Sequence, residues 1–557
     1  MKQLPVGIDD FKKLIDKNAY YVDKTQFIVD CMKEECALYT RPRRFGKSLN
    51  MSMLYYFFSN IESENAYLFD GLKVTEYPEV MKHQNQYPII FMSLKDMKRK
   101  TMSMQKEKFA SFIAYIVRTY PELLESPHLD DEEKDILLQY RKKNSSESDL
   151  RDALFNISTY LKKHFKQKVI ILIDEYDVPL QAAYQNGYYD DMVDFLRDVF
   201  SSSLKSNTAL EKGILTGCLR ISKESIFTGM NNFKVYSILE EDNDENFGFD
   251  ANEVNQMLEY YHLENYYNEV KNWYDGYLFG NKEIYNPWST IMYVSDKAAN
   301  PQRSPKSYWA NTSGNDIVYN YIVGSQEDED EWQQLHDEFD QLMDDIPVTK
   351  KIKPELTYRE MDDMNNIYSF LLLTGYLKVK EKVGYNEYQL VIPNEEVRKI
   401  YAEIFEDYFD GYQSDYKGSF YQALLCGNVT EANQVLNEIL EKSISYYDSQ
   451  EDFYHGFLVG LLSGKKPKSN RESGDGRFDI CVPAKTIAGT AIIIECKRSK
   501  KVEDLIDDAQ NGAQQIFDKK YYQDFSLVGS KNVIGYGIAF YKKQCYVVKT
   551  KNMERRG

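Results

Sequence analysis

The stretch Arg41-Pro-Arg-Arg-Phe-Gly-Lys-Ser48 decides how the N-terminal half of this chain is read. It follows the short apolar run Cys36–Tyr39 and precedes a helical pattern that continues to Phe58. Strand, loop, Gly-Lys-Ser and helix make the context of a phosphate-binding loop. Backbone N–H groups at a helix N-terminus bind phosphate oxygens, and the helix dipole adds to the attraction. Arg43, Arg44, Gly46, Lys47 and Ser48 form the nucleotide-binding set. Lys47 can reach the β- and γ-phosphates, and the Ser48 hydroxyl can coordinate Mg²⁺. One position departs from the pattern GxxxxGK[ST]: Arg41 stands where the first glycine is expected.

A lone Gly-Lys-Ser also occurs at ordinary strand–turn–helix junctions, so a second element is required. Lys168-Val-Ile-Ile-Leu-Ile-Asp-Glu175 supplies it, as a buried strand with two carboxylates at its C-terminal end. Ligands of parallel α/β sheets bind at that edge. Asp174 is expected to hold Mg²⁺ and Glu175 to activate the attacking water. Farther on, Gly213-Ile-Leu-Thr216 reads as a strand ending in a polar group that could sense the γ-phosphate, with Arg220 placed to stabilise its charge. Arg197 or Arg220 could also complete the site of a neighbouring copy.

The rest of the chain sets the frame. Its 557 residues suggest three or four domains. With 43% hydrophobic and 28% charged residues, the composition is globular. The net charge of −18 excludes a uniformly basic nucleic-acid coat but leaves room for a local basic groove. Apolar runs fall far short of the roughly 20 residues of a membrane helix, and the first residues do not read as a signal peptide. The seven cysteines are scattered and form no CxxC pair, so reduced thiols in a cytoplasmic protein are expected.

Alternating strands and helices to about residue 235 predict a parallel sheet covered on both faces. Residues 236–445 read as mostly helical. Within them lies an acidic stretch from Ser325 to Asp345, and a helix over Thr357–Leu373 precedes two strands, Leu377–Val379 and Tyr388–Ile392. That order is compatible with a winged-helix unit. From about 446 to 557 the pattern turns α/β again. A helix over Phe453–Leu462 and a basic loop lead into strands Arg477–Val482 and Thr490–Lys497. Helix Val502–Lys519 and strands Gly535–Phe540 and Cys545–Lys549 follow.

This last segment holds a second constellation. Asp479 and Glu495 fall on consecutive strands, and the period of two puts Glu495 and Lys497 on one face. Close carboxylates repel and call for a divalent cation, so Asp479 and Glu495 are candidate Mg²⁺ or Mn²⁺ ligands. Lys497 could position water or stabilise phosphate charge, which is the equipment of phosphodiester hydrolysis. Basic residues surround the site: Lys465, Lys466, Lys468 and Arg471 before it, then Arg498, Lys500, Lys501, Lys519 and Lys520. They could track a nucleic-acid backbone. Glu451 and Glu472 are candidates for a third acid. Gln515 and Tyr521 could reach a substrate phosphate.

Taken together, these motifs resemble those of bacterial proteins that join a predicted AAA-like ATPase domain to a PD-(D/E)XK nuclease-superfamily domain. Leu4-Pro-Val-Gly-Ile-Asp-Asp-Phe11 and Tyr21-Val-Asp-Lys-Thr25 are similar to that family's opening. So are the loop Arg41–Ser48 with its missing glycine, Tyr285-Asn-Pro-Trp-Ser289 and Tyr308-Trp-Ala-Asn-Thr-Ser-Gly314. Asp479 with Glu495-Cys-Lys497 resembles the nuclease signature, Phe478 replacing the proline of its name. The resemblance implies a P-loop core around a parallel sheet and a nuclease core of mixed sheet flanked by helices. The expected activity is metal-dependent cleavage of nucleic acid, DNA favoured, controlled by ATP, with defence or repair as fitting settings. A nucleotide-dependent binding switch without cleavage is the alternative. In a third reading the nuclease acts alone. A homo-oligomer and a protein partner of the middle region are further expectations.

Overall fold

The computed structural model describes residues 1–220, 233–242, 245–309, 341–362, 364–402, 414–443, 451–462, 467–473, 476–484, 489–521 and 532–550, with a few isolated positions between them. By its contacts the chain divides into two units. One comprises Met1–Ser313 and Pro347–Arg398, and the other Gly314–Ile346 and Lys399–Gly557. Most of the acidic stretch Ser325–Asp345 lies outside the described residues.

The first unit is built on five parallel strands: β1 (Cys36–Thr40), β2 (Ile89–Ser93), β3 (Val169–Asp174), β4 (Leu210–Gly217) and β5 (Phe233–Tyr236). Their order is β2-β3-β4-β1-β5. Every residue of β1 and β3 is buried, as the unbroken apolar runs require of strands covered on both faces. Pro88 has no N–H to give the ladder, and β2 begins after it. The short edge strand β5 was not anticipated, because Phe-Lys-Val-Tyr carries no continuous apolar run. The strand order fixes the site. Because β4 lies between β1 and β3, the loop after β1, Thr216 on β4 and Asp174 ending β3 share one sheet edge.

The unit also contains the hairpin β6 (Tyr277–Phe279) and β7 (Lys282–Ile284), and the helix Pro287–Ala299. Three antiparallel strands follow: β8 (Val348–Lys351), β9 (Lys378–Gly384) and β10 (Glu387–Val391), in the order β8-β10-β9, with helix Met364–Thr374 before β9. The stretch between the two expected strands, read from sequence as a loop over residues 380–387, is mostly strand. β9 runs to Gly384 and turns at Tyr385-Asn386, with Asn386 left-handed at φ 54°. The charged sequence Lys-Val-Lys-Glu-Lys-Val reads as loop, yet it forms an edge strand that solvent can bathe.

The second unit carries a mixed sheet: β11 (Lys468–Ser473), β12 (Gly476–Val482), β13 (Thr490–Arg498), β14 (Asn532–Tyr541) and β15 (Gln544–Lys549), in that order. β13 and β14 are parallel and joined through helix Leu505–Asp518; the other pairs are antiparallel. The basic segment before Asp479, expected as a loop, is strand β11 from Lys468 onward; its polar side chains hide the pattern of an edge strand. At the opposite edge, Asn433 and Asn437 of helix Val429–Ser443 each bond the β15 backbone from both amide atoms, covering part of an edge that would otherwise invite pairing.

Candidate active sites

The loop after β1 turns on two left-handed residues, Arg44 at φ 67° and Gly46 at φ 86°. Such alternation converges backbone N–H groups on a hollow that suits an anion. Gly46 caps helix Lys47–Phe58, and its φ is one that side chains disfavour. Arg41 explains the missing glycine. Its buried guanidinium donates to Thr40 O and Tyr236 O, at 2.8 and 2.7 Å, and lies 5.2 Å from the ring centroids of Phe247 and Phe279. It binds the ends of β1 and β5 to the hairpin β6–β7.

Lys47 is buried, with Nζ 3.0 Å from Arg41 O and from Pro42 O and 3.4 Å from Glu175 Oε1. Asp174 is the hub of the hydroxyls: Ser48 and Ser93 donate to Oδ2 at 2.7 and 3.2 Å, and Thr216 to Oδ1 at 2.6 Å. Burial and the neighbouring Glu175 charge push the Asp174 carboxyl up, and the Thr216 and Ser48 hydroxyls hold it down. Glu175 itself is left-handed at φ 55°, a conformation that costs energy and concentrates at functional sites. Arg43 donates to Gln181 Oε1 at 2.6 Å. Arg220 is ion-paired with Glu355, and Arg197 with Asp194. All-oxygen donors around Asp174 and Ser48 are the chemistry Mg²⁺ prefers.

Sequence reasoning missed Asp177. It is buried, accepts from Cys218 N and Leu219 N at 3.0 and 3.1 Å, and is pushed up to about 6 by burial and by Glu175. Also missed was the cavity of about 690 Å³ beside the loop, whose size suits a nucleotide. Its lining includes Arg43, Arg44, Gly46, Ser48 and Glu175 from the phosphate site, the charged Asp9, Lys24, Lys95 and Lys98, and the apolar or aromatic Ile8, Tyr20, Phe249, Met257, Trp288 and Ile291. Its wall includes Pro5, Gly7, Ile8 and Asp9 from the first opening motif and Tyr21, Val22 and Lys24 from the second. Only their strong aromatic and apolar content could have signalled this.

In the second unit β12 and β13 pair at Ile480↔Ile494. One residue beyond that pair, Asp479 Oδ2 takes a hydrogen bond from Cys496 N at 2.8 Å. Glu495 is almost wholly buried. Its Oε1 accepts from Lys497 Nζ at 3.2 Å and from Gln515 Nε2. Gln515 Nε2 also lies 3.3 Å from Tyr521 OH. The structure thus brings Asp479, Glu495, Lys497, Gln515 and Tyr521 together. The side chains of Glu451 and Glu472 lie outside the described residues. Gly512 and Gly537 allow the assembly. A Cβ on Gly537 would come within 2.0 Å of Ala509 O and 2.3 Å of Ala513 N. Helix Leu505–Asp518 can therefore lie directly on β14 and deliver Gln515 to Glu495.

Burial and the Asp479 charge push the Glu495 carboxyl up to about 7, against the pull of Lys497. Its Oε2 is buried and has no hydrogen-bond partner among the described residues. An orphaned oxygen is costly unless something binds it. A divalent cation held by Asp479 and Glu495 would satisfy that oxygen, and the carboxylate donors suit it.

Residues 5–227 match the family model described as a predicted AAA-ATPase, and residues 449–550 match that of the PD-(D/E)XK nuclease superfamily. The chain therefore carries both an AAA-ATPase-like domain and a PD-(D/E)XK nuclease-superfamily domain. Among curated proteins it is similar to an uncharacterized protein in the vnfD 5′ region of Azotobacter chroococcum mcd 1, at 24% identity over 320 residues. That similarity covers 56% of this chain and 54% of the relative, so the chain spans about half the length of the protein it matches. Among the described residues no helix is long and apolar enough to cross a membrane.

Proposed function

We propose that this protein is an ATP-binding, metal-dependent nuclease that hydrolyses nucleic-acid phosphodiesters, DNA in preference to RNA, under control of its ATPase-like domain. The observation that carries the reading is the buried, unpartnered Glu495 Oε2 beside Asp479 and Lys497. Asp479 and Glu495 would hold a divalent cation, Mg²⁺ or Mn²⁺, which when bound supplies Lewis acidity and an activated water. Lys497 is 28% exposed at its side chain, so its ammonium can meet a substrate phosphate while still touching Glu495. Gln515 orients Glu495, and Tyr521 steadies Gln515.

In the other unit, Lys47 and the left-handed loop would take the phosphates of ATP. Ser48 and Asp174 would hold Mg²⁺, and Thr216 orients Asp174. Glu175 is the proposed base for water, and Arg220 responds to the γ-phosphate on leaving Glu355. Functionally the chain then divides near residues 235 and 445. A winged-helix role for residues 357–392, a homo-oligomer and a cytoplasmic setting in defence or repair belong to the same reading. The test is cleavage of supercoiled plasmid, linear duplex, single-stranded DNA and RNA with Mg²⁺, for wild type and Lys497→Ala. Cleavage that disappears in the folded variant supports the nuclease. No wild-type cleavage of any substrate favours the nucleotide-dependent binding switch.

A further inference from the structure

Two sequence motifs left without a role, Tyr285–Ser289 and the start of Tyr308–Gly314, meet at a buried carboxylate. Glu396 Oε1 accepts from Ser289 Oγ, Tyr308 N and Trp309 N, at 3.0, 2.7 and 3.0 Å. Asn286 caps the helix Pro287–Ala299 through Ser289 N at 3.1 Å, and Pro287 presets the first helical turn. These bonds fix Trp288. Its indole N–H donates to Tyr308 O at 3.2 Å, and the residue lines the cavity beside the phosphate loop. The Arg44 guanidinium, from the loop itself, lies 4.1 Å from the Trp288 ring centroid.

A triphosphate needs only the polar lining residues of this cavity. Ile8, Tyr20, Phe249, Met257 and Ile291 offer it nothing, yet they continue the same space. A cavity that adds apolar and aromatic lining to an anion site suits a flat heterocycle joined to a phosphate chain. Resting on the nucleotide reading of the loop, we propose that the apolar and aromatic lining of this cavity is the base subsite and that Trp288 is its base-recognising residue. Arg44 ties Trp288 to the phosphate loop, so base and phosphates are bound by one connected element. Glu396 is a positioning residue for that element.

Isothermal titration of the full chain with Mg·ATP and with Mg·tripolyphosphate tests this, and the ratio of the two affinities is the deciding quantity. Trp288→Ala is expected to lower the ratio roughly 5- to 100-fold, the range for loss of one stacked aromatic, by weakening ATP alone. Trp288→Phe keeps an aromatic face and is expected to hold the ratio within about threefold. If the alanine variant binds neither ligand, Trp288→Leu replaces it and must show the same fall. An unchanged ratio in the alanine or leucine variant overturns the inference. So does wild type binding ATP no tighter than tripolyphosphate, which leaves the phosphate-loop reading standing. Wild type binding neither ligand overturns both.

Discussion

Replacing Glu495 by Gln should stabilise the metal-free protein at alkaline pH and do little at pH 4. Glu495 is 2% exposed, and its pKa rises from the ordinary 4.5 to about 7. Burial is the first cause and the Asp479 charge the second; the attraction of Lys497 is already included. Between those two values the native protein binds a proton that the unfolded chain has lost. Stability therefore falls as pH climbs from about 4.5 to about 7 and is level on either side. A gap of about 2.5 pH units corresponds to about 3 kcal/mol. Gln keeps the shape and the acceptor for Lys497 and Gln515 without the charge. The variant should thus match wild type at pH 4 and exceed it by about 2–3 kcal/mol at pH 8, in the unfolding transition of the second unit. Saturating Mg²⁺ should narrow the difference, because it binds wild type and not the variant. Thermal unfolding of both proteins across pH 4–8, with and without Mg²⁺, is the assay. Parallel pH profiles for the two proteins would exclude the raised Glu495 pKa, as would a variant less stable than wild type at pH 8 without metal.

Gly537→Ala should force helix Leu505–Asp518 off β14, costing about 1–3 kcal/mol and lowering cleavage by displacing Gln515; a combined unfolding and activity measurement checks both. Arg41→Gly restores the usual loop pattern yet should destabilise the first unit by about 3 kcal/mol, since two carbonyls and two rings lose the guanidinium; chemical denaturation reads the loss. Glu175→Gln should retain ATP affinity within a few-fold and lower turnover by about 10²-fold or more, as loss of a general base does; paired binding and phosphate-release assays separate the two.

Much of the site was legible because its parts are local. Gly46-Lys47-Ser48 and Asp174-Glu175 each sit at a junction of an apolar run with a polar turn, and the strand order then brings them to one edge. Glu495 and Lys497 were readable from the period of two, and Asp479 from a neighbouring strand. What sequence hides is tertiary. Asp177 and Glu396 look like ordinary surface acids until backbone N–H groups from distant segments close on them. Arg41 reads as a defect because its partners Tyr236, Phe247 and Phe279 lie some 200 residues away. Strands β5, β9 and β11 escape or blur because edge strands tolerate polar residues, which removes the apolar signal. Gln515 was a candidate, but its placement depends on the close approach at Gly537.

If nucleotide at the first site controls metal-dependent cleavage at the second, the two sites must be coupled in a single assay. The most direct measurement is the initial rate of DNA cleavage with Mg²⁺, with and without ATP, for wild type, Lys47→Ala and Lys497→Ala side by side. The wild-type rate should change several-fold with ATP, the Lys47→Ala rate should ignore it, and Lys497→Ala should not cleave. A Lys497→Ala protein that cuts as fast as wild type, or a Lys47→Ala protein that responds to ATP as wild type does, would contradict that coupling.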